Sequence, residues 1–342
     1  MIKLDHSNIG DLEKEYVLKA LDSGYVSTAG PLVEEFENAV SEVVGFQGVA
    51  TNSGTSALHL ALLDAEIGKG DKVILPATSF IATANTVKYV QATPVFVDVD
   101  INNWCINSEN IARELDTALA IIGVDLYGNR IDWERIDSEH AILIEDSAGS
   151  FGANPKHPLM PDYYCYSFNG NKIMTTGSGG LVVGPRDSLK RFASVGKDSI
   201  GEFEEVGYNY KMNNIQAALG LAQLRRMPEF LKKKKEFYEI YRNELPFLTF
   251  QKQENSNHWY TACLLPEIGN VDFLTNYLRM KGIETRRVFR PITYYKPYRK
   301  YAREFPNARY IYDHGICLPM STLNTKENIY YVCKTIRRLF EK

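Results

Sequence analysis

The 342-residue sequence has no long apolar segment, no cysteine pattern and no excess of charge of one sign. No segment is apolar enough to span a bilayer, and residues 1–6 lack the apolar core of a signal peptide. The five cysteines are dispersed without a C-x-x-C spacing, which is typical of a reducing compartment and gives no metal site. A net charge of −3 argues against nucleic acid or an anionic membrane as the principal partner. We therefore expect a cytoplasmic globular protein without a metal ion.

Helix-like and strand-like segments alternate between about residues 54 and 184. This alternation predicts βαβ units and a largely parallel sheet, and the absence of a G-x-G-x-x-G segment excludes the dinucleotide fingerprint. The predicted helices are 57–67 and 81–90, and the predicted strands are 73–75, 94–99, 120–124, 141–144 and 180–183.

The pattern changes after Pro228, where a charged helix is predicted over residues 229–245. A strand at 259–265, an amphipathic helix at 272–281 and a last helix beginning near residue 324 follow. We predict a large domain over residues 1–228 and a smaller C-terminal α+β domain over residues 229–342.

A single lysine, Lys172, lies in a bend between two strand-like segments, in the sequence YSFNGNK followed by TTGSGG. The small residues around it let backbone and a bound molecule approach closely. Schiff-base chemistry needs such a preset lysine, because the amine must be neutral to attack a carbonyl. The motif alone is weak, since lysine and glycine are common in turns.

Asp146 follows the apolar residues 141–144, which are typical of a buried parallel strand. Ligands of open α/β sheets bind outside the carboxyl ends of the strands. An aspartate there can pair with the pyridine nitrogen of pyridoxal phosphate and keep it protonated, so that the ring becomes an electron sink. The alternative is that Asp146 only caps the next turn.

Small polar residues, Gly54, Thr55 and Ser56, lead directly into a helical apolar pattern. Such a junction presents free N–H groups at a positive helix end beside two hydroxyls, which suits a phosphate. Ordinary capping of the helix is the alternative. Phe80 follows the strand predicted at 73–75, where its ring either stacks on a cofactor or joins the core.

Together these motifs resemble the nucleotide-sugar aminotransferases of the DegT/StrS family, which depend on pyridoxal phosphate. The resemblance covers most of the chain and includes residues 24–31 (GYVSTAGP), 94–98 (PVFVD), 207–212 (GYNYKM) and 315–319 (GICLP). It implies an α/β structure of the fold type I transferases, the aspartate aminotransferase fold. This fold has a large domain with a mostly parallel sheet flanked by helices and a smaller C-terminal domain.

The resemblance also implies a role for each cofactor-binding residue. Lys172 forms the Schiff base and moves the proton, Asp146 holds the pyridine nitrogen, and Phe80 stacks on the ring. The phosphate is bound by Gly54, Thr55, Ser56 and Ser167. Asn209 reaches the phosphate from the partner subunit, which implies a homodimer with shared active sites.

Ser27, Arg286 and Tyr294 are candidate contacts for the substrate. Arg286 matches a position near the sugar nucleotide in similar enzymes. Tyr294 belongs to an aromatic-rich segment, residues 289–312, which favours packing between domains or subunits, with one or two tyrosines also contacting the base.

The sequence departs from the family pattern at several positions. Gly149 stands where many relatives have glutamine or glutamate, three places after the aspartate, and where a hydrogen bond to the ring hydroxyl is made. Ser178 replaces an acid, and Lys211 replaces an arginine. These changes leave the first half-reaction intact and put the substrate contacts in question.

We predict a ping-pong aminotransferase that moves an amino group from an amino acid, L-glutamate, to carbon 4 of a UDP- or dTDP-linked 4-keto-6-deoxy hexose. Residues 170–177 resemble the members that act at carbon 4. The product is a 4-amino sugar nucleotide for glycan biosynthesis, such as lipopolysaccharide or O-antigen.

Two alternatives stay open at this point. The first is a sugar dehydratase of the same fold, although similar dehydratases have histidine in place of the Schiff-base lysine, so Lys172 argues against it. The second is a non-catalytic dimer that binds the cofactor or a sugar nucleotide for regulation, which Gly149 keeps open.

Overall fold

The computed structural model describes residues 1–136, 138, 140–153, 161–184, 187–267 and 269–340. A seven-stranded sheet has the order β1-β7-β6-β5-β4-β2-β3. Strands β3, β2, β4, β5 and β6 are parallel, while β7 is antiparallel to both of its neighbours, so the prediction of an α/β fold with a mostly parallel sheet is confirmed. The strands are β1 (Gly48–Thr51), β2 (Lys72–Pro76), β3 (Thr93–Val97), β4 (Ala120–Val124), β5 (Ile142–Asp146), β6 (Tyr163–Ser167) and β7 (Gly180–Val183).

The central strands β4, β5 and β6 are buried along nearly their whole length, as expected of parallel strands covered on both faces. Their register places Val124 opposite Asp146, and Asp146 opposite Cys165. The carboxyl ends of the three strands therefore meet at one edge of the sheet, which is where Asp146 lies.

Among the described residues up to 244, seven α-helices surround this sheet or extend from it. They are α1 (Asp11–Asp22), α2 (Pro31–Val44), α3 (Gly54–Asp64), α4 (Ile81–Tyr89), α5 (Ser108–Ile111), α6 (Ser188–Ala193) and α7 (Asn214–Glu244). Helix α3 packs on β6 and β7 and beside α4. Predicted helices 57–67 and 81–90 correspond to α3 and α4, and α3 begins earlier because Ser53 caps it.

The prediction of a helix that begins at residue 229 is wrong, because α7 runs from Asn214 through Pro228 to Glu244 without a break. Proline removes one backbone donor in a helix interior, and here packing along the helix outweighs that loss. The first half of α7 packs on α1 and α2, and its second half packs on the C-terminal helix α10 (Lys326–Phe340). The predicted domain boundary at residue 228 falls inside α7 and stays a prediction.

A second, antiparallel sheet of four strands follows, in the order β10-β11-β9-β8. The strands are β8 (Thr249–Phe250), β9 (Thr261–Leu264), β10 (Arg286–Arg287) and β11 (Gly315–Leu318), and the helices are α8 (Val271–Met280), α9 (Pro306–His314) and α10. The predicted strand at 259–265 and the two predicted C-terminal helices are therefore observed. Ile2 pairs with Ile283, so the start of the chain also lies against this sheet.

Within the described residues, none of the helices is both long and apolar enough to cross a membrane.

Candidate active site

A cavity of about 310 Å³ opens at the carboxyl edge of the large sheet, between the N-terminus of α3 and residues of the second sheet. It brings most of the predicted site residues together. The predicted residues that line it are Gly54, Thr55, Phe80, Asp146, Ser167, Lys172 and Arg286.

Asp146 is the last residue of β5, and its carboxylate is buried in this cavity. Thr83 Oγ1 donates to Asp146 Oδ2 at 2.7 Å, and the Ala148 N–H donates to Oδ1 at 3.2 Å. Asp146 therefore caps the following turn and also lines the cavity. Burial raises the pKa of Asp146, although Thr83 and Lys172 oppose this effect. A buried carboxylate in this position is stabilised by a cationic partner such as a protonated pyridine nitrogen.

Lys172 lies in the turn after β6, where its N–H donates to the Asn169 carbonyl at 3.0 Å. Burial lowers the pKa of the Lys172 amine from 10.5 to about 7, with a further lowering from Arg286 and an opposing effect from Asp146. At pH 7 this change raises the neutral fraction of the amine from about one in 3,000 to about one half. The side chain therefore meets the requirement of an amine nucleophile.

The N-terminus of α3 forms the third part of the site. Ser53 caps the helix, and its Oγ accepts from the Ser56 N–H at 3.1 Å. A Cβ on Gly54 would lie 2.7 Å from the Ser167 Cβ, so glycine lets the helix end approach the end of β6. The first N–H groups of α3, which have no acceptor within the helix, thus lie close to the Ser167 hydroxyl, as a phosphate requires.

These residues fit pyridoxal phosphate as a set. An anion-binding helix end, a buried carboxylate and a lysine with a pKa of about 7 line one cavity. Phe80 precedes α4 with its side chain 60% exposed, and its ring lies 6.0 Å from that of Phe289. The exposed part of the Phe80 ring is available for stacking on a cofactor ring, and the ring also packs against Phe289.

Four predicted residues do not line the cavity of the single chain. Ser56 Oγ donates to Asn52 Oδ1 at 2.6 Å, within the helix cap. Ser27 is exposed, and its carbonyl accepts from the Asn214 N–H at 2.8 Å. The roles predicted for Ser27 and Ser56 stay predictions.

Asn209 is exposed, and its carbonyl accepts from Asn52 Nδ2 at 3.1 Å. Tyr294 lines a second depression, with Arg303 and Arg309. The roles predicted for Asn209 and Tyr294 also stay predictions.

Sequence reasoning missed three features of the site. Thr83, the donor to Asp146, lies in the first turn of α4, and a small polar residue after a strand was its only signal. Trp259 covers Lys172, whose Nζ is 3.5 Å from the ring centroid. Nothing in the sequence around Trp259 indicates this contact.

The third feature is a buried polar network behind Asp146. Both oxygens of the buried Glu145 carboxylate are bonded, because Oε1 accepts from Arg130 Nη2 at 2.7 Å and Oε2 accepts from Trp133 Nε1 at 2.7 Å. Arg130 therefore forms an ion pair with Glu145. Asp146, the next residue of β5, faces the cavity instead.

Comparison with known proteins identifies the family of the chain. The model of the DegT/DnrJ/EryC1/StrS aminotransferase family matches residues 7–337. The chain is 35% identical to a GDP-perosamine synthase of Escherichia coli O157:H7, over 96% of this chain and 95% of that protein. It is 31% identical to a GDP-perosamine synthase of Vibrio cholerae, over 99% of both chains.

Among solved structures, the chain is similar to Helicobacter pylori PseC, an aminotransferase involved in the biosynthesis of pseudoaminic acid. The TM-score is 0.93, the identity is 25%, and the match covers 99% of both chains. The chain belongs to the DegT/DnrJ/EryC1/StrS aminotransferase family, and it is an aminotransferase whose cofactor is pyridoxal phosphate.

Proposed function

We propose that the protein transfers the amino group of L-glutamate to carbon 4 of a nucleotide-linked 4-keto-6-deoxy hexose. The observation that carries this proposal is the presence of the Lys172 amine, with a pKa of about 7, in one cavity with Asp146 and the N-terminus of α3. The two relatives named GDP-perosamine synthase support a nucleotide sugar as acceptor and favour a GDP-linked one. The UDP- and dTDP-linked sugars predicted from the sequence remain candidates.

Each residue of the site has a defined task in this reaction. Gly54 and Thr55 N–H groups and the Ser167 hydroxyl bind the phosphate, and Asp146 holds the positive charge at the pyridine nitrogen. Pyridoxal phosphate, when bound, supplies the electron sink. Lys172 Nζ would remove a proton from the α-carbon of the donor and return one two atoms away, a 1,3-proton shift that its pKa of about 7 allows in both directions. The buried walls of the cavity limit the access of water.

Arg286 is our candidate for binding the charged part of each substrate. Its guanidinium lies 4.9 Å from the ring of Tyr260 and 5.3 Å from that of Phe289. Its Nε and Nη2 are buried and have no hydrogen-bond partner among the described residues. A guanidinium with free donors binds a carboxylate or a phosphate well. Because the two substrates of a ping-pong reaction occupy the site in turn, one arginine can serve both.

The proposed working unit is a homodimer. Asn209 lies outside the cavity of its own chain, and the segment that precedes it carries exposed apolar side chains, at Ile200, Phe203 and Val206, which are 83%, 68% and 86% exposed. A second copy that covers this segment would bury these side chains and bring Asn209 towards the partner's phosphate site. Light scattering at low micromolar concentration tests this, and a monomer that is fully active contradicts it.

Lys172 argues against the dehydratase alternative, because that reaction in similar enzymes uses histidine at this position. The non-catalytic alternative requires a site that binds but does not react. A lysine whose pKa lies near neutrality supports the catalytic function instead.

The test is a substrate panel with the cofactor-loaded protein. L-glutamate is supplied with GDP-, dTDP- or UDP-linked 4-keto-6-deoxy hexose, and the product is identified by mass spectrometry and by the position of the amine in its NMR spectrum. We expect a 4-amino sugar nucleotide from at least one of the three and none with Lys172→Ala. Amination at carbon 3, or no amination of any of these sugars, contradicts the proposal.

A further inference from the structure

Gly149 and Trp259 occupy the same part of the cavity wall. A Cβ on Gly149 would lie 2.7 Å from Trp259 Cε3, which is closer than real contacts allow. Its next neighbours would be the Asp125 carbonyl oxygen at 3.0 Å and Trp259 Cζ3 at 3.1 Å, both tight contacts. The backbone of Gly149 does not have a positive φ, so its conformation does not demand glycine. The space for a side chain at position 149 is therefore filled mainly by the indole of Trp259, with the Asp125 carbonyl beside it.

Trp259 is held firmly in this position. Its Nε1 donates to the Asn171 carbonyl at 2.6 Å, and its backbone N–H donates to Asn257 Oδ1 at 2.9 Å. The Trp259 carbonyl accepts from the buried Lys234 Nζ at 3.1 Å. The residue is only 4% exposed. One of these bonds joins the indole to the residue immediately before Lys172, so the ring and the lysine turn are fixed to each other.

The face of this ring carries the Lys172 amine, with Nζ 3.5 Å from the ring centroid. We propose that Trp259 is a positioning residue for Lys172, whose amine it holds against its ring face inside the cavity, and that Gly149 leaves the space which the ring needs. The ring restricts the rotamers of a long side chain, and it stabilises the ammonium form by a cation–π interaction.

The contact acts on the lysine together with three charged groups. Burial has the largest effect on the pKa of Lys172 and opposes the ammonium form, as does Arg286 on β10, while Asp146 on β5 and Asp5 in the N-terminal segment favour that form. The cation–π contact with Trp259 also favours the ammonium form, as Asp146 and Asp5 do. Without the ring, the amine should lose a proton at a lower pH and should occupy more than one rotamer.

The test uses the cofactor-free protein, so its result does not depend on the proposed sugar substrate. An amine reagent such as acetic anhydride labels lysines at a series of pH values from about 6 to about 10, and peptide mass spectrometry follows Lys172. In Trp259→Leu, which keeps an apolar side chain over the buried amine but removes the ring face, the apparent pKa of Lys172 should fall by about one unit, whereas Trp259→Phe, which keeps a ring, should shift it less.

Lys234 provides the internal control in the same samples. Its pKa is also lowered to about 7 by burial, and its Nζ donates to the carbonyls of Trp259 and Met320 and not to the indole. Its labelling profile should therefore be the same in all variants. A Lys234 that labels like an exposed lysine would reveal a local loss of structure.

Gly149→Ala supplies a second variant that leaves Trp259 in place. Its added methyl group meets the ring and also the Asp125 carbonyl oxygen, and it should lower the apparent pKa of Lys172. The effect should be clearly smaller when Trp259 is already leucine, because only the contact with the Asp125 carbonyl then remains. Two results overturn the proposal. One is an unchanged Lys172 profile in Trp259→Leu while Lys234 stays protected, and the other is an equal effect of Gly149→Ala with and without the indole.

Discussion

Replacing Thr83 with valine tests whether the buried Asp146 carboxylate depends on its hydroxyl donor. Thr83 and Thr86 are both fully buried on α4. Thr83 Oγ1 donates to the Asp146 carboxylate at 2.7 Å, whereas Thr86 Oγ1 donates to the neutral Thr83 carbonyl at 2.9 Å. Thr86→Val is therefore a matched control, with the same change of side chain and an uncharged acceptor.

The expected magnitudes differ because one acceptor is charged. A hydrogen bond to a charged group contributes about 1.5–3 kcal/mol, and one between neutral groups contributes about 0.5–1.5 kcal/mol. Thr83→Val should therefore lower the free energy of unfolding of the cofactor-free protein by about 1–2 kcal/mol more than Thr86→Val does. Loss of the hydrogen bond from Thr83 should also raise the pKa of Asp146 by about one further unit.

The pH dependence has a definite sign. Burial raises the pKa of Asp146 above 3.8 in the folded protein, so the folded state binds this proton more tightly than the unfolded chain. The contribution of Asp146 to the free energy of unfolding is therefore greatest at low pH and falls as the pH rises through the folded pKa. The loss in free energy of unfolding that Thr83→Val causes should accordingly be small near pH 3.8. It should be largest at pH values above the folded pKa of Asp146 in both the wild type and the variant.

Chemical denaturation at fixed protein concentration and several pH values measures these differences, and Thr83→Ser, which keeps the hydroxyl, should remain close to the wild type. Equal losses in Thr83→Val and Thr86→Val at every pH would refute the reasoning.

Three further variants probe the rest of the site. Gly54→Ala places a methyl group 2.7 Å from the Ser167 Cβ and should weaken cofactor binding about tenfold or more. A spectroscopic titration measures this affinity, and an unchanged affinity contradicts the phosphate role of the helix end. Lys172→Ala should still bind the cofactor but lose the visible absorption band of the lysine-bound form, and an unchanged spectrum contradicts the lysine assignment. Arg286→Met should raise KM about tenfold or more for at least one substrate and leave the cofactor spectrum intact, whereas Arg286→Lys should retain part of the activity. An unchanged KM for both substrates in Arg286→Met excludes the proposed role.

Local sequence patterns predicted the parts of the site that depend on local structure. Asp146 follows a run of apolar residues, and Gly54 precedes an apolar helix, so each position at the sheet edge follows from where a strand or helix ends. Parallel strands then bring such ends together without further information. The parallel sheet could therefore be predicted, and the structure confirms it. The cofactor is implied by the resemblance to the family, which the family match confirms.

Features that depend on distant contacts could not be predicted in this way. Trp259 is bonded to Asn171, 88 residues away in sequence, and no local pattern encodes that contact. Pro228 suggested a helix start, yet packing on both sides carries α7 through it. The position of Asn209 relative to a partner subunit involves two chains and stays a prediction.

The most direct test follows the nitrogen atom itself. L-glutamate with an isotope-labelled amino group is incubated with the cofactor-loaded protein and the keto-sugar nucleotides, and the sugar product is analysed by mass spectrometry. The proposed transfer predicts labelled nitrogen in an amino sugar nucleotide with the wild-type protein and none with Lys172→Ala. A product that lacks the label, or an equal yield of labelled product from Lys172→Ala, would contradict it.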